Sequence, residues 1–192
     1  MTDFTHLIDF VYGTFPVVPY EVKEKAKECV RQFNADGTPL DYLMQTPLEE
    51  ISQGDIFSEI KFQYFNEDGI LGVFSANAII VNTSCDIDNK DTVSFAPLFN
   101  LRDEAINKDA IQRNEVISYM YIPDNKLENE YANFGYTTTY EKSFILKMIE
   151  EKKINRIASL SQIGYYFFVV KYATFMLRRE DPETLVKRNA MN

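Results

Sequence analysis

Residues 54–64, GDIFSEIKFQY, decide how the middle of this chain is read. Ile56, Ser58, Ile60, Phe62 and Tyr64 fall on one side of an alternating segment, and Phe57, Glu59, Lys61 and Gln63 on the other. A period of two predicts a strand and excludes a helix. Asn66-Glu67-Asp68-Gly69 follows, with the residue types of a tight connection, and predicts a hairpin onto a second strand over 70–74. Two further β-rich runs, 78–81 and 92–98, extend a series of short strands with turn signals between them. That series predicts a small, strongly bent antiparallel sheet or barrel.

Outside this core the period changes. Val22, Ala26, Val30 and Phe33 predict a helix over 20–33, and Leu40, Leu43, Met44, Leu48 and Ile51 a second over 39–51, broken or restarted at Pro47. Downstream, 100–114 reads as helical, 115–122 as a strand, and 131–139 as a strand that closes the sheet. Residues 141–153 form an amphipathic pattern presenting Phe144, Ile145, Met148 and Ile149. A longer helix is expected over 161–178, with Ser159 and Ser161 available as N-caps, Gly164 allowing close packing, and Asp181-Pro182 as the stop. The expected organisation is one α+β protein: a helical extension (1–52), a β core (53–140) and C-terminal helices packed on it (141–192).

A chain of 192 residues, 45% of them hydrophobic, can fill a core of its own. Twenty Lys and Arg against 29 Asp and Glu leave a net charge of −9, which excludes broad electrostatic attraction to nucleic acid or anionic lipid. The two cysteines, Cys29 and Cys85, do not make a disulfide framework and fit a reducing, cytoplasmic setting. The first residues carry acids where a signal peptide carries bases, and no apolar run reaches the ~18 residues a spanning helix needs, so no membrane association is expected. Nothing in the sequence calls for a cofactor.

Gln53-Gly54-Asp55-Ile56-Phe57, then Ala78-Ile79-Ile80-Val81-Asn82-Thr83, then Thr92-Val93-Ser94-Phe95-Ala96-Pro97-Leu98 resemble the core of the MazF/PemK-like toxin family over about residues 52–100. The resemblance implies a small SH3-like β-barrel with added helices, a toxin–antitoxin or phage-defence context, a protein partner of antitoxin type, single-stranded RNA as a substrate class, and a homodimer. Family nucleases carry an arginine at the start of the central strand, where this sequence has Ser75-Ala76-Asn77, and a Thr or Ser after the third strand, where it has Phe99-Asn100. In-line attack by an RNA 2′-hydroxyl needs a group to stabilise phosphoryl charge and a group to move protons. With neither at its family position, the resemblance implies a module that binds a protein or nucleic acid without cutting it.

The candidates for a rearranged ribonuclease site are Asn77, Thr83, Cys85, Asp86 and Asp88, gathered at a strand end where a side chain is held rigidly yet reaches solvent. The structural alternative makes Cys85 a small buried residue, Asp86 a turn cap, and Asp88-Asn89 that turn's polar tip. A third reading, a metal or small-molecule sensor built on Cys85, has one thiol and two acids where structural zinc takes closed Cys/His sets. His6 is the single histidine, and its distance from Cys85 is not fixed by sequence. Arg156, Lys171, Arg178, Arg179, Lys187 and Arg188, near Tyr165, Tyr166 and Tyr172, read either as a nucleic-acid patch or as ordinary helix-end charges balanced by Glu180, Asp181 and Glu183.

Overall fold

In a computed structural model, which describes residues 42–101, 108–127, 129–177 and 181–189, the alternating segment is strand β1 (Asp55–Phe65). Its alternation is interrupted once. The register to the next strand shifts between Phe57 and Ile60, and Glu59 adopts φ 59° at that bulge. The bulge carries Phe57 onto the face of Ile60 and Phe62, whereas a strict period of two had set it with Glu59, Lys61 and Gln63. Ile56 lies on the opposite face, in a separate cluster.

Asn66-Glu67-Asp68-Gly69 makes the expected hairpin: the Asn66 side-chain oxygen accepts from the N–H groups of Asp68 and Ile70, and Gly69 supplies φ 75°. The return strand, β2 (Leu71–Ile80), is one strand of ten residues where two short ones, 70–74 and 78–81, were expected. Ser75 and Ala76 continue the ladder, opposite Lys61 and Ile60. After Val81 the amide of Asn82 stands in for a peptide group, donating to the Thr92 carbonyl and accepting from the Ser94 N–H. This carries the pairing into β3 (Thr92–Asn100).

The other edge of β3 is shared. Its first half pairs with β6 (Thr138–Glu141) and its second with β5 (Glu130–Asn133), which pairs in turn with β4 (Tyr119–Tyr121). β5 and β6 correspond to the single strand expected over 131–139. Six residues separate Ala132 from Thr138 while their partners Leu98 and Phe95 are only three apart, so the extra chain bulges out as a turn around Gly135. A last strand, β7 (Arg156–Ser159), pairs with β1. The antiparallel path β4-β5-β3-β2-β1-β7 is open and does not close into a barrel.

Five helices accompany the sheet among the described residues: α1 (Ser84–Asn89), α2 (Lys108–Gln112), α3 (Lys142–Glu150), α4 (Gln162–Met176) and α5 (Pro182–Asn189). One face of the sheet packs Phe57, Ile60, Phe62, Ile80 and Phe95 against Ile87 of α1 and Ile145 of α3. The other packs Ile56, Ile79, Ala96 and Leu98 against Tyr42, Leu43 and the α4 residues Phe167 and Phe168. α4 starts at the expected cap, with Ser161 Oγ accepting from the Gly164 N–H at 3.1 Å. Asp181-Pro182 opens α5, Pro182 standing at a first helical position, where its missing N–H costs nothing.

The helix expected over 39–51 is absent from 42–51. Leu43 forms a β-bridge with Leu160, and the Met44 N–H donates to the Ser159 carbonyl, so tertiary pairing overrides the local apolar spacing. The expected 20–33 helix lies outside the described residues. Residues 115–118 are turns rather than strand, since Asn114 takes φ 55° and the Glu115 N–H bonds back to Ala110. No helix of the described residues is long and apolar enough to cross a membrane.

Lys171 of α4 is 2% exposed and donates to the carbonyls of Asn114 and Val116, both at 2.8 Å, fastening the helix to this turn. Burial lowers its ammonium from 10.5 to about 7. Between those values the unfolded chain holds a proton that the folded chain has released, so this group makes stability rise with pH, at most by about 1.4 kcal/mol per unit. Thermal unfolding of the native chain and of Lys171→Met is expected to show a stability difference that shifts toward the native chain between pH 7 and 10. A difference that stays flat over that window contradicts the assignment.

Candidate functional site

The segment after β2 is a helix, not a turn. Thr83, rather than Asp86, is its N-cap: Thr83 Oγ1 accepts from the Asp86 N–H at 3.2 Å. Ile87, fully buried, pins α1 to the core, while Cys85 is exposed, contrary to the reading of it as a small buried residue. Asn89 does not form a free tip, because its amide donates to the Cys85 carbonyl at 2.8 Å.

Both acids of α1 face lysines. Asp86 contacts Lys90 at 2.8 Å, and Asp88 contacts Lys142 of α3 at 3.2 Å. The hydrogen bond from Lys90 holds the Asp86 carboxyl below its ordinary value, which suits a permanent anion and not a proton shuttle. Beneath the helix, the Gln53 N–H donates to Ser84 Oγ and its side-chain amide to the Val81 carbonyl, while the Tyr165 hydroxyl donates to Gln53 Oε1. Burial raises the Tyr165 phenol above its ordinary value, and Tyr166 and Cys85 add to the effect.

Asn77 is not part of this group. It lies four residues before Val81, about 13 Å along an extended chain, and its amide donates to both carboxylate oxygens of Glu130, at 3.1 and 2.9 Å. At the second family position, Phe99 sits in an aromatic cluster with Phe74 (5.7 Å), Tyr131 (6.1 Å) and Tyr136 (6.1 Å). Where the resemblance would place a cation and a hydroxyl, the described residues hold an amide bound to a carboxylate, and aromatic rings.

Among the described residues, two of the candidate basic side chains are taken up within the fold, while Lys187 and Arg188 stand exposed in the last turn of α5. Arg156 bonds to Asp55 and to the Glu49 and Glu50 carbonyls, Lys171 is buried, and Arg178 and Arg179, like His6 and Cys29, lie outside the described residues. No group of three His, Cys, Asp or Glu that could hold a metal ion occurs among the described residues.

Sequence reasoning missed two features. Asp55, fully buried, accepts from Ser159 Oγ, Arg156 Nη1 and the Ser52 N–H; burial pushes its carboxyl up, while these hydrogen bonds and the Arg156 charge pull it down. The "GD" of the opening motif is therefore a structural knot. The second is the far end of the β1–β2 hairpin, where Tyr64, Phe65, Ile70, Leu71 and Val73, with Tyr136 beside them, stand 42–72% exposed. Its signal was present: residues 69–81 contain no charged side chain. Comparison with protein-family models and with curated proteins finds no match to this chain.

Proposed function

We propose that this chain is a MazF/PemK-like module of a toxin–antitoxin or phage-defence system that has no nuclease centre and works by binding a protein through the β1–β2 hairpin. Its open, bent sheet is the counterpart of that family's SH3-like barrel. The observation that carries the reading is the exposed apolar surface of Phe65, Ile70, Leu71 and Val73, 50–72% accessible on a projecting hairpin. An apolar patch of this kind on an otherwise acidic chain marks a protein contact. Single-stranded RNA is the weaker fit. A nucleic-acid surface pairs aromatic rings with cations, yet residues 62–89 hold no Lys or Arg and do hold Glu67, Asp68, Asp86 and Asp88.

Incubating the protein with a mixed pool of single-stranded RNA, with and without magnesium, tests the reading. No cleavage products are expected from the native chain. Products that disappear in a folded Cys85→Ala or Asp86→Ala variant would restore chemistry to α1 and overturn the proposal.

A further inference from the structure

The rings at the base of the hairpin make a shape as well as an apolar surface. Phe62 lies opposite Phe74 in the β1–β2 ladder and Tyr64 opposite Gly72, so these side chains share one face of the hairpin, while Lys61 and Gln63 take the other. Gly72 leaves room for the Tyr64 ring to lie over it, since a Cβ there would fall 2.4 Å from Tyr64 Cζ.

Phe74 meets Phe99 of β3 at 5.7 Å with 31° between the ring planes, which makes a shallow floor. Phe62, a core residue, stacks on Phe74 at 5.3 Å and holds that floor in place. Tyr136, on the turn between β5 and β6, stands at 79° to both floor rings, 6.5 Å from Phe74 and 6.1 Å from Phe99. Tyr64 makes a further side, 6.0 Å from Phe74 and inclined at 54°. With Tyr64 42% and Tyr136 48% exposed, this aromatic corner opens to solvent.

Ring faces carry the negative side of the aromatic quadrupole. A cation seated in the corner lies within about 6 Å of more than one ring centroid, the range over which rings attract it. The surrounding charge has the same sign. The segments that build the corner, 62–77, 92–101 and 130–140, contain no Lys or Arg, and the hairpin carries Glu67 and Asp68 at its tip. Among the described residues neither of these acids is held in an ion pair.

Resting on the reading of the hairpin as a protein-binding surface, we propose that the partner is basic and seats an Arg or Lys side chain in the corner formed by Tyr64, Phe74, Phe99 and Tyr136. Arg suits it better, because a guanidinium is planar, stacks on ring faces and is more weakly hydrated than an ammonium. Glu67 and Asp68 receive further cations of the same segment, and a chain of net charge −9 draws a basic segment in at long range. An acidic partner would meet like charge at the tip and the negative faces of the rings.

Calorimetric titration of the full chain tests this, with a peptide alternating Arg and Val as the probe and the same peptide with Gln in place of Arg as its neutral counterpart. The Arg peptide is expected to bind at least tenfold more tightly. Tyr136→Leu keeps an apolar side chain and the net charge but removes the ring, and is expected to weaken the Arg peptide about tenfold, leave the Gln peptide unchanged and preserve the circular dichroism; Tyr136→Phe is expected to bind as the native chain does. Equal affinity for the two peptides, or no binding of the Arg peptide, overturns the proposal, as does an Arg preference that survives Tyr136→Leu, which would be general attraction to an acidic chain. Equal affinity leaves the hairpin a protein contact without a cation site, whereas RNA cleavage overturns the functional reading whichever peptide binds.

Discussion

Asp55→Ala is expected to lower stability by about 3–5 kcal/mol in urea denaturation followed by circular dichroism, the cost of leaving a buried charge without its partner. The carboxylate is fully buried and receives Arg156 Nη1 and the Ser52 N–H at 2.9 Å and Ser159 Oγ at 2.5 Å. Those three donors belong to two segments. Arg156 and Ser159 lie on β7, and Ser52 on the strap that precedes β1; the same strap offers the Glu49 and Glu50 carbonyls to Arg156 and the Leu48 N–H to Ser159. Removing one acid therefore unfastens β7 and the strap together. Against a typical total of 5–15 kcal/mol this is a large fraction. Asp55→Asn keeps the volume but sets an amide against donors, so it is expected to recover only part of the loss. Asp86→Ala, at an exposed pair, is expected to leave the unfolding midpoint almost unchanged.

Gly164→Val is expected to cost about 3 kcal/mol, the upper end of overpacking. A Cβ at this position would lie 2.2 Å from the Tyr42 carbonyl oxygen, a backbone atom that cannot rotate away. That oxygen also accepts from the Ser161 N–H at 2.8 Å, so shifting the strap to make room breaks the bond that seats it at the start of α4. Replacing a helical glycine ordinarily gains up to about 1 kcal/mol in propensity, but even in Gly164→Ala the clash with the Tyr42 carbonyl is expected to outweigh that gain and lower the thermal midpoint. A thermal midpoint unchanged or raised in Gly164→Ala would contradict this packing.

The elements that were legible in the sequence are those whose signals are local. Asn66 to Gly69 specify their own turn through the Asn66 side chain and the positive φ of Gly69, and Ser161 caps α4 from within its first turn. What was not legible depends on contacts distant in the chain. The bulge at Glu59 exists because β1 must pair with both β2 and β7, and it moves Phe57 to the face that alternation denied it. Residues 42–44 abandon a helical spacing because Ser159, Leu160 and Ser161 supply bonding partners more than a hundred residues away. Within the candidate site, Thr83, Cys85, Asp86 and Asp88 do lie together on α1, as their adjacency required. Asn77 does not join them, since its amide is held by Glu130 on another strand. The aromatic hairpin was visible only as an uncharged run, and exposure is a property of the fold rather than of the run.

The central claim is that the exposed end of the β1–β2 hairpin is open to a protein partner. Residue-resolved amide hydrogen exchange of the purified chain tests it most directly. The amides of Leu71 and Val73, which turn away from β1, are expected to exchange fast in dilute solution, while Gly72 and Phe74, bonded to β1, stay protected. Protection of Leu71 and Val73 in dilute solution would contradict the claim, because the edge would then be covered within the chain itself.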